Sequence, residues 1–151
     1  MVKKEEIGSF SGRYRWLSNF YNCDVPMYHD GIIYPSAEHV YQAQKTVDQD
    51  ERCVIARLAT AADAKAAGAK LVLRDGWDSL RVIVMREVLR QKFALPPLRK
   101  MLVKTGTFYL MEGNTWGDVF WGVCRGQGRN MLGELLMEER SRILLFGATL
   151  P

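Results

Sequence analysis

The chain has 151 residues, 48% hydrophobic and 25% charged, a balance that excludes disorder, collagen-like repeats and coiled coil and supports a core without disulfides or metals. No run approaches the ~20 apolar residues that span a bilayer, and Met1-Val2-Lys3-Lys4-Glu5-Glu6 leads into no apolar segment of a secretory leader. Lys and Arg number 21 against 17 Asp and Glu, a net +4, which suits an anionic partner, either nucleic acid or a phosphorylated small molecule.

From Phe10 to Tyr34 the chain is rich in aromatic and β-branched residues, broken by Gly12, Pro26 and Gly31. The run Arg13-Tyr14-Arg15-Trp16-Leu17-Ser18-Asn19-Phe20-Tyr21 either stacks on a base and holds a phosphate, or forms strand residues that pack inward. Phe20 is core on both views, and Asn19 is a candidate ligand contact. Val25–Tyr28 and Ile32–Tyr34 read as short strands turning at His29-Asp30-Gly31. Pro35-Ser36 then opens a helix to about Val47, with Ser36 as N-cap. Helices follow at roughly Glu51–Ala59 and Ala61–Gly68.

A long helix starts near Asp78 or Ser79, with Leu80, Ile83, Val84 and Val88 toward the core and Arg86 and Arg90 on another face. Pro96-Pro97 ends it, because proline disfavours helix in the residue before it. The last helix runs from about Met131 to Leu145. No repeat or linker divides the chain, so residues 1–151 read as one compact domain of the α+β class, mostly helical with a few short strands. The charge is concentrated: Lys65 to Lys104 holds ten cations and three acids, a local +7, which leaves −3 elsewhere. Ten cations in forty residues fit a nucleic-acid face or, more plainly, solvated helix surface.

Three segments carry chemistry. On the helix after Ser36, Val40, Ala43 and Val47 share one face, while Glu38, Gln42 and Lys45 lie nearly opposite. A carboxylate, an amide and an amine in one row can surround a substrate, the first shuttling a proton and the last acting as nucleophile or cation; charged residues opposite an apolar stripe are also what a wetted surface looks like. The helix N-terminus favours an anion. Farther on, six of the thirteen glycines lie between Gly113 and Gly133, with Trp116 and Trp121 among them. Such a run brings backbone close to a ligand and offers flat rings to a base, with Asn114 and Asp118 as polar contacts; alternatively it is a tight turn with the tryptophans in the core. Arg125-Gly126-Gln127-Gly128-Arg129-Asn130 loosely suits a phosphate but matches no dinucleotide or P-loop pattern. Cys23, Cys53 and Cys124 are odd in number and far apart, and His29 and His39 complete no zinc spacing. A reducing cytoplasm is therefore expected, with no metal and no cofactor.

Taken in order, the motifs Trp16-Leu17-Ser18-Asn19-Phe20-Tyr21, Tyr34-Pro35-Ser36-Ala37-Glu38-His39, Tyr41-Gln42-Ala43-Gln44-Lys45, Trp116-Gly117-Asp118 and Gly128-Arg129-Asn130-Met131-Leu132-Gly133 resemble the NADAR family of YbiA-like N-glycosidases. Arg81-Val82-Ile83-Val84-Met85 and Lys92-Phe93 add to the likeness, which runs from about Phe10 to Arg140. The resemblance implies hydrolysis of the bond between a phosphorylated ribose and a base or amine. The substrate would be a ribosylaminopyrimidine phosphate of riboflavin synthesis, or ADP-ribose on guanine, free or in nucleic acid; no membrane is implied. Carried over, Glu38 is the acid–base residue and Lys45 its partner, with Asn19, Trp116 and Asp118 lining the pocket. Beside them Gln42 shares the helix face, Trp121 offers a second ring, and Arg81, Arg125 and Arg129 are candidate phosphate clamps. The rival class is a non-catalytic module that binds nucleotide, ADP-ribose or nucleic acid without releasing base.

Overall fold

A computed structural model describes residues 4–147, the side chains of Asp24 and Val25 excepted; the reading of Met1, Val2 and Lys3 lies outside them. In chain order the elements are β1 (Glu6–Ile7), a 3-10 helix (Gly12–Leu17), β2 (Asn22–His29), β3 (Ile32–Ser36), α1 (Ala37–Ala43), α2 (Gln49–Ala56), α3 (Ala61–Gly68), α4 (Trp77–Ala94), α5 (Pro96–Lys104), β4 (Tyr109–Leu110), β5 (Gly113–Asn114), β6 (Val123–Cys124) and α6 (Met131–Phe146). The class is α+β, mostly helical with short strands, as expected. The chain divides into two compact units, Asn19–Lys92 and the residues before and after it.

In the Asn19–Lys92 unit, β2 and β3 form an antiparallel hairpin pairing Met27 with Tyr34, Tyr28 with Ile33 and His29 with Ile32. Asp30 and Gly31 turn it with φ of 49° and 77°, the left-handed pair whose twist matches that of the strands. β3 passes directly into α1 through Ser36, which is extended (φ −149°) and accepts the His39 amide at 3.2 Å. α1 packs against both strands, α2 and α3, so all seven of its residues are buried.

α1 stops at Ala43, four residues short of the expected Val47. Lys45 and Thr46 close the end with i→i+3 bonds to Gln42 and Ala43. The β-branched Thr46 and Val47 then leave the helix, and the side chain of Asp48 caps α2 through the amides of Asp50 and Glu51. Val47, expected in the core, is 66% exposed. α4 buries Val88 as expected but otherwise a different set: Met85, Leu89 and Lys92 are buried with it, whereas Ile83 is 58% exposed and Leu80 and Val84 are half-buried. The buried set keeps i, i+3, i+4, i+7 spacing; the expected one began on the neighbouring row.

In the other unit, Gly12–Leu17 is a 3-10 helix rather than a strand, and it buries Trp16 and Leu17. Trp16 meets Phe93 edge to face at 6.3 Å. Pro96-Pro97 ends α4 and also opens α5, a helix the sequence reading omitted; proline at the first helical position lacks only an N–H that would be unpaired anyway. The buried Arg140 donates to Thr105 Oγ1 and the Phe108 carbonyl at 2.8 and 2.9 Å, placing a cation at the C-terminal end of α5, where the helix dipole favours one. β1 pairs in parallel with β4, and β5 with β6.

Candidate active site

Glu38 follows from the local chain path. Its amide donates to the Asn19 carbonyl at 3.0 Å, while its side chain is only 7% exposed. The Gln42 amide, one turn on and itself buried, donates through Nε2 to Glu38 Oε1 at 2.7 Å. The face bearing Glu38 and Gln42 is therefore interior rather than the wetted surface that its pattern also allowed. Lys45 lies two residues beyond α1, half-buried, with Nζ 5.8 Å from the Tyr41 ring centroid. Burial lowers its pKa below the usual lysine range; the charge of Glu38 acts upward on it and that of Lys65 downward. Its backbone is anchored as well, because the Arg74 amide donates to the Lys45 carbonyl at 2.8 Å.

Asn19 is buried, and its Nδ2 donates to Met85 Sδ at 3.1 Å. Its Oδ1 is a buried acceptor with no protein partner, unusual for a folded interior. Arg81, half-buried, precedes Met85 by one turn of α4. Phe20, expected in the core, is 44% exposed, and Lys65 Nζ sits 5.8 Å from its ring centroid. Asn19, Glu38, Gln42 and Lys45 are thus linked in one neighbourhood.

Lys65, Met85, Arg74 and Gly68 also lie in this neighbourhood, and the sequence did not place them there. Lys65 sits on an alanine-rich helix whose pattern carries no chemical signal. Gly68, Met85 and Arg74 join it only through tertiary contacts. His39, beside Glu38 in sequence, is buried: Nε2–H donates to the Leu58 carbonyl at 3.0 Å, so Nδ1 accepts from the Ser36 hydroxyl at 2.6 Å. Burial lowers its pKa.

The glycine- and tryptophan-rich segment lies in the other unit. Asp118 Oδ1 accepts the amides of Phe120 and Trp121 at 3.2 and 2.9 Å, and Asn114 Nδ2 donates to the Asp118 carbonyl at 2.8 Å. These two residues hold a turn. Trp116 is 64% exposed and Trp121 half-buried, so neither ring is core. Arg125 and Gly126 form a two-residue turn with φ of 52° and 76°, closed by reciprocal bonds between Cys124 and Gln127; Arg125 is exposed at its tip. The exposed Arg129 places its guanidinium 5.2 Å from the Phe120 ring centroid.

Asn130 is a structural knot. Its Oδ1 accepts the Glu112 amide at 2.9 Å, and its Nδ2 donates to the Leu110 carbonyl and Tyr109 hydroxyl at 2.9 and 3.2 Å. The first amides of α6, Met131 and Leu132, donate to the carbonyls of Phe120 and Trp121. The phosphate seat expected there is filled by backbone. The first turn of α1 is occupied in the same way, by Asn19 O and Ser36 Oγ, so neither helix start offers free amides at these positions to an anion.

All three cysteines are thiols outside any disulfide. Among the described residues no group of three or more His, Cys, Asp or Glu is placed to hold a metal, and no helix is long and apolar enough to cross a membrane.

Known proteins are similar to this chain in both sequence and fold. N-glycosidase YbiA of Escherichia coli (strain K12) is 35% identical over 145 residues, 93% of this chain and 84% of its own. A riboflavin biosynthesis protein of Vibrio vulnificus (strain YJ016) is 38% identical over 132 residues, 85% of this chain and 35% of that longer one. The NMR structure of E. coli YbiA superposes with a TM-score of 0.85 at 34% identity, covering 100% of this chain and 92% of the other. The fold and these relatives define an enzyme, a hydrolase of N-glycosyl bonds. The NADAR domain model matches residues 7–144, running through both units, and the chain belongs to that family.

Proposed function

We propose that the protein hydrolyses the C1′–N bond of a phosphorylated ribosylamine, with Glu38 as proton shuttle and Lys45 as its amine partner. A ribosylaminopyrimidine phosphate is the favoured substrate, supported by the riboflavin biosynthesis names of relatives in V. vulnificus and Zea mays. The observation that carries the chemistry is the buried Glu38 carboxylate, held by Gln42, within electrostatic reach of Lys45. Buried ionisable pairs of this kind are characteristic of sites that move protons.

In its acid form Glu38 gives a proton to the departing nitrogen as the C1′–N electron pair leaves with that atom. The resulting carboxylate stabilises positive charge on C1′ and the ring oxygen. Water then adds to C1′ and returns a proton to Glu38, so the products are ribose phosphate and free amine or base. Burial of Lys45 favours its neutral form, which suits attack on C1′ of a ring-opened sugar: the amine leaves, a lysine imine forms, and water hydrolyses it. The unpartnered Asn19 Oδ1 is an acceptor suited to an amino or hydroxyl group of the substrate. Three thiols outside any disulfide fit the cytoplasm as the place of action, and the unbroken family match supports one functional domain.

The test is incubation with ribosylaminopyrimidine phosphates and, in parallel, ADP-ribosylated guanine, reading ribose phosphate and base release. Glu38→Gln is expected to abolish turnover and keep substrate binding; full activity in that variant refutes the assignment. Borohydride added during turnover traps an adduct at Lys45 if the imine forms, and absence of the adduct leaves Lys45 the role of a cation.

A further inference from the structure

Gly68 closes α3 in ordinary helical conformation, so a left-handed turn does not explain the glycine. The explanation lies across the helix pair. A Cβ built on Gly68 would overlap Gln42 Oε1 and come within 2.7 Å of Gln42 Cδ and 3.0 Å of Gln42 Cβ. Gln42 is 3% exposed, so its amide has no route outward to solvent. The bare Cα of Gly68 therefore forms one wall of the slot in which the amide lies. The other end of that amide is committed, since Nε2 donates to Glu38 Oε1. With Glu38 ionised, rotating the amide by half a turn would set two oxygens against each other, so the slot and the carboxylate together select one orientation. Its cost is visible: Gln42 Oε1 is buried without a hydrogen-bond partner, a penalty that interiors rarely retain without a role.

We infer that Gly68 is a positioning residue for the reaction: by lacking a side chain it seats the Gln42 amide, which in turn fixes the Glu38 carboxylate. This rests on Glu38 being the proton shuttle. The device separates stability from activity. In a helix alanine is intrinsically favoured over glycine, and the two nearest obstructing atoms, Oε1 and Cδ, end a flexible side chain that can change rotamer within the interior, while Gln42 Cβ at 3.0 Å has to give by only a few tenths of an ångström. Gly68→Ala should therefore fold while displacing the amide from Glu38. A misplacement of about 1 Å at a reacting group costs on the order of 10²-fold in rate.

The experiment is a double-mutant cycle read as kcat and KM on the ribosyl substrate, with thermal unfolding of each protein. Gly68→Ala and Gln42→Ala are each expected to lower kcat about 10- to 100-fold with KM changed less than about threefold. Adding Gly68→Ala to Gln42→Ala should cause little further loss, because Oε1 and Cδ, the atoms it displaces, are gone and only the 3.0 Å contact with the position-42 Cβ remains. Wild-type kcat in either single variant, or fully additive losses in the double variant, overturns the inference. If Gly68→Ala alone does not fold, recovery of folding in the Gln42→Ala background supports the shared slot, and failure there overturns it. An active Glu38→Gln protein would instead refute the acid–base reading itself, which keeps the two failures distinct.

Discussion

Replacing Asn130 with alanine tests whether the Gly128–Gly133 motif is structural, as its contacts indicate. The side chain makes three hydrogen bonds, to the Glu112 amide, the Leu110 carbonyl and the Tyr109 hydroxyl. At roughly 0.5–1.5 kcal/mol each, their loss costs about 3 kcal/mol. The backbone adds a second cost, because Asn130 has φ 52° and ψ 40°. Alanine lacks asparagine's tolerance for this left-handed conformation, at about 1 kcal/mol. A total near 4 kcal/mol corresponds to a fall in Tm on the order of 10 °C for a chain of this size. Differential scanning calorimetry checks it, with Asn130→Gly as control. Glycine loses the same bonds but accepts the backbone, so it should unfold about 2–4 °C above alanine. A drop below about 3 °C for Asn130→Ala, or equal Tm for the two variants, refutes the knot.

Two further predictions concern pH. The pKa of Lys45 is lowered from 10.5 by burial, so below pH 10.5 the unfolded chain binds the proton more readily than the native one, and stability falls as pH drops from there toward the folded pKa. Lys45→Met should thus raise Tm at pH 7 while losing activity, and the stability gain should vanish near pH 10.5; equal Tm values at pH 7 would show that Lys45 is not held against its preference. His39, lowered from 6.5 by burial, contributes no penalty above that pH and destabilises the fold as pH falls below it. His39→Gln should flatten the acid side of the stability curve measured by urea unfolding, and an unchanged slope would contradict the neutral Ser36–His39–Leu58 chain.

Local features were legible where local physics decides them. The Asp30-Gly31 turn, the Ser36 cap and the start of α6 at Met131 all appear at the expected residues. The errors arose where two local signals compete or where tertiary contacts decide. Pro96-Pro97 is both a stop and a start, so reading it as a stop hid α5. Phe20 looked like core by residue type but is 44% exposed, with a lysine over its ring. On α4 two apolar rows run side by side, and only packing selects the one through Met85 and Val88. At the site, spacing aligned Glu38 with Gln42, whereas their burial depends on strands and helices packing around α1. The seat of Gln42 against Gly68 needs a contact across 26 positions that no local pattern records.

The same comparison changes the meaning of the basic middle segment. By charge alone, Lys65 to Lys104 reads as solvated helix surface lying outside the chemistry. Yet Lys65, at its start, faces Phe20 and acts electrostatically on Lys45, while Arg74 holds the Lys45 carbonyl through its amide and reaches the Gln44 carbonyl at 3.5 Å. These contacts matter more because the opening amides of α1 and α6 described above are already paired within the protein. An anionic substrate therefore has to be met by side-chain cations rather than by those amides, and in the Asn19–Lys92 unit Lys65 is the cation whose charge already reaches Lys45. A phosphate drawn toward Lys65 would offset the charge that lowers the Lys45 pKa, so substrate binding and the protonation of the amine are physically coupled. The segment's charge thus reaches Lys45 from its first residue, while Lys70, Arg90, Arg99, Lys100 and Lys104 are exposed and Lys92 is buried.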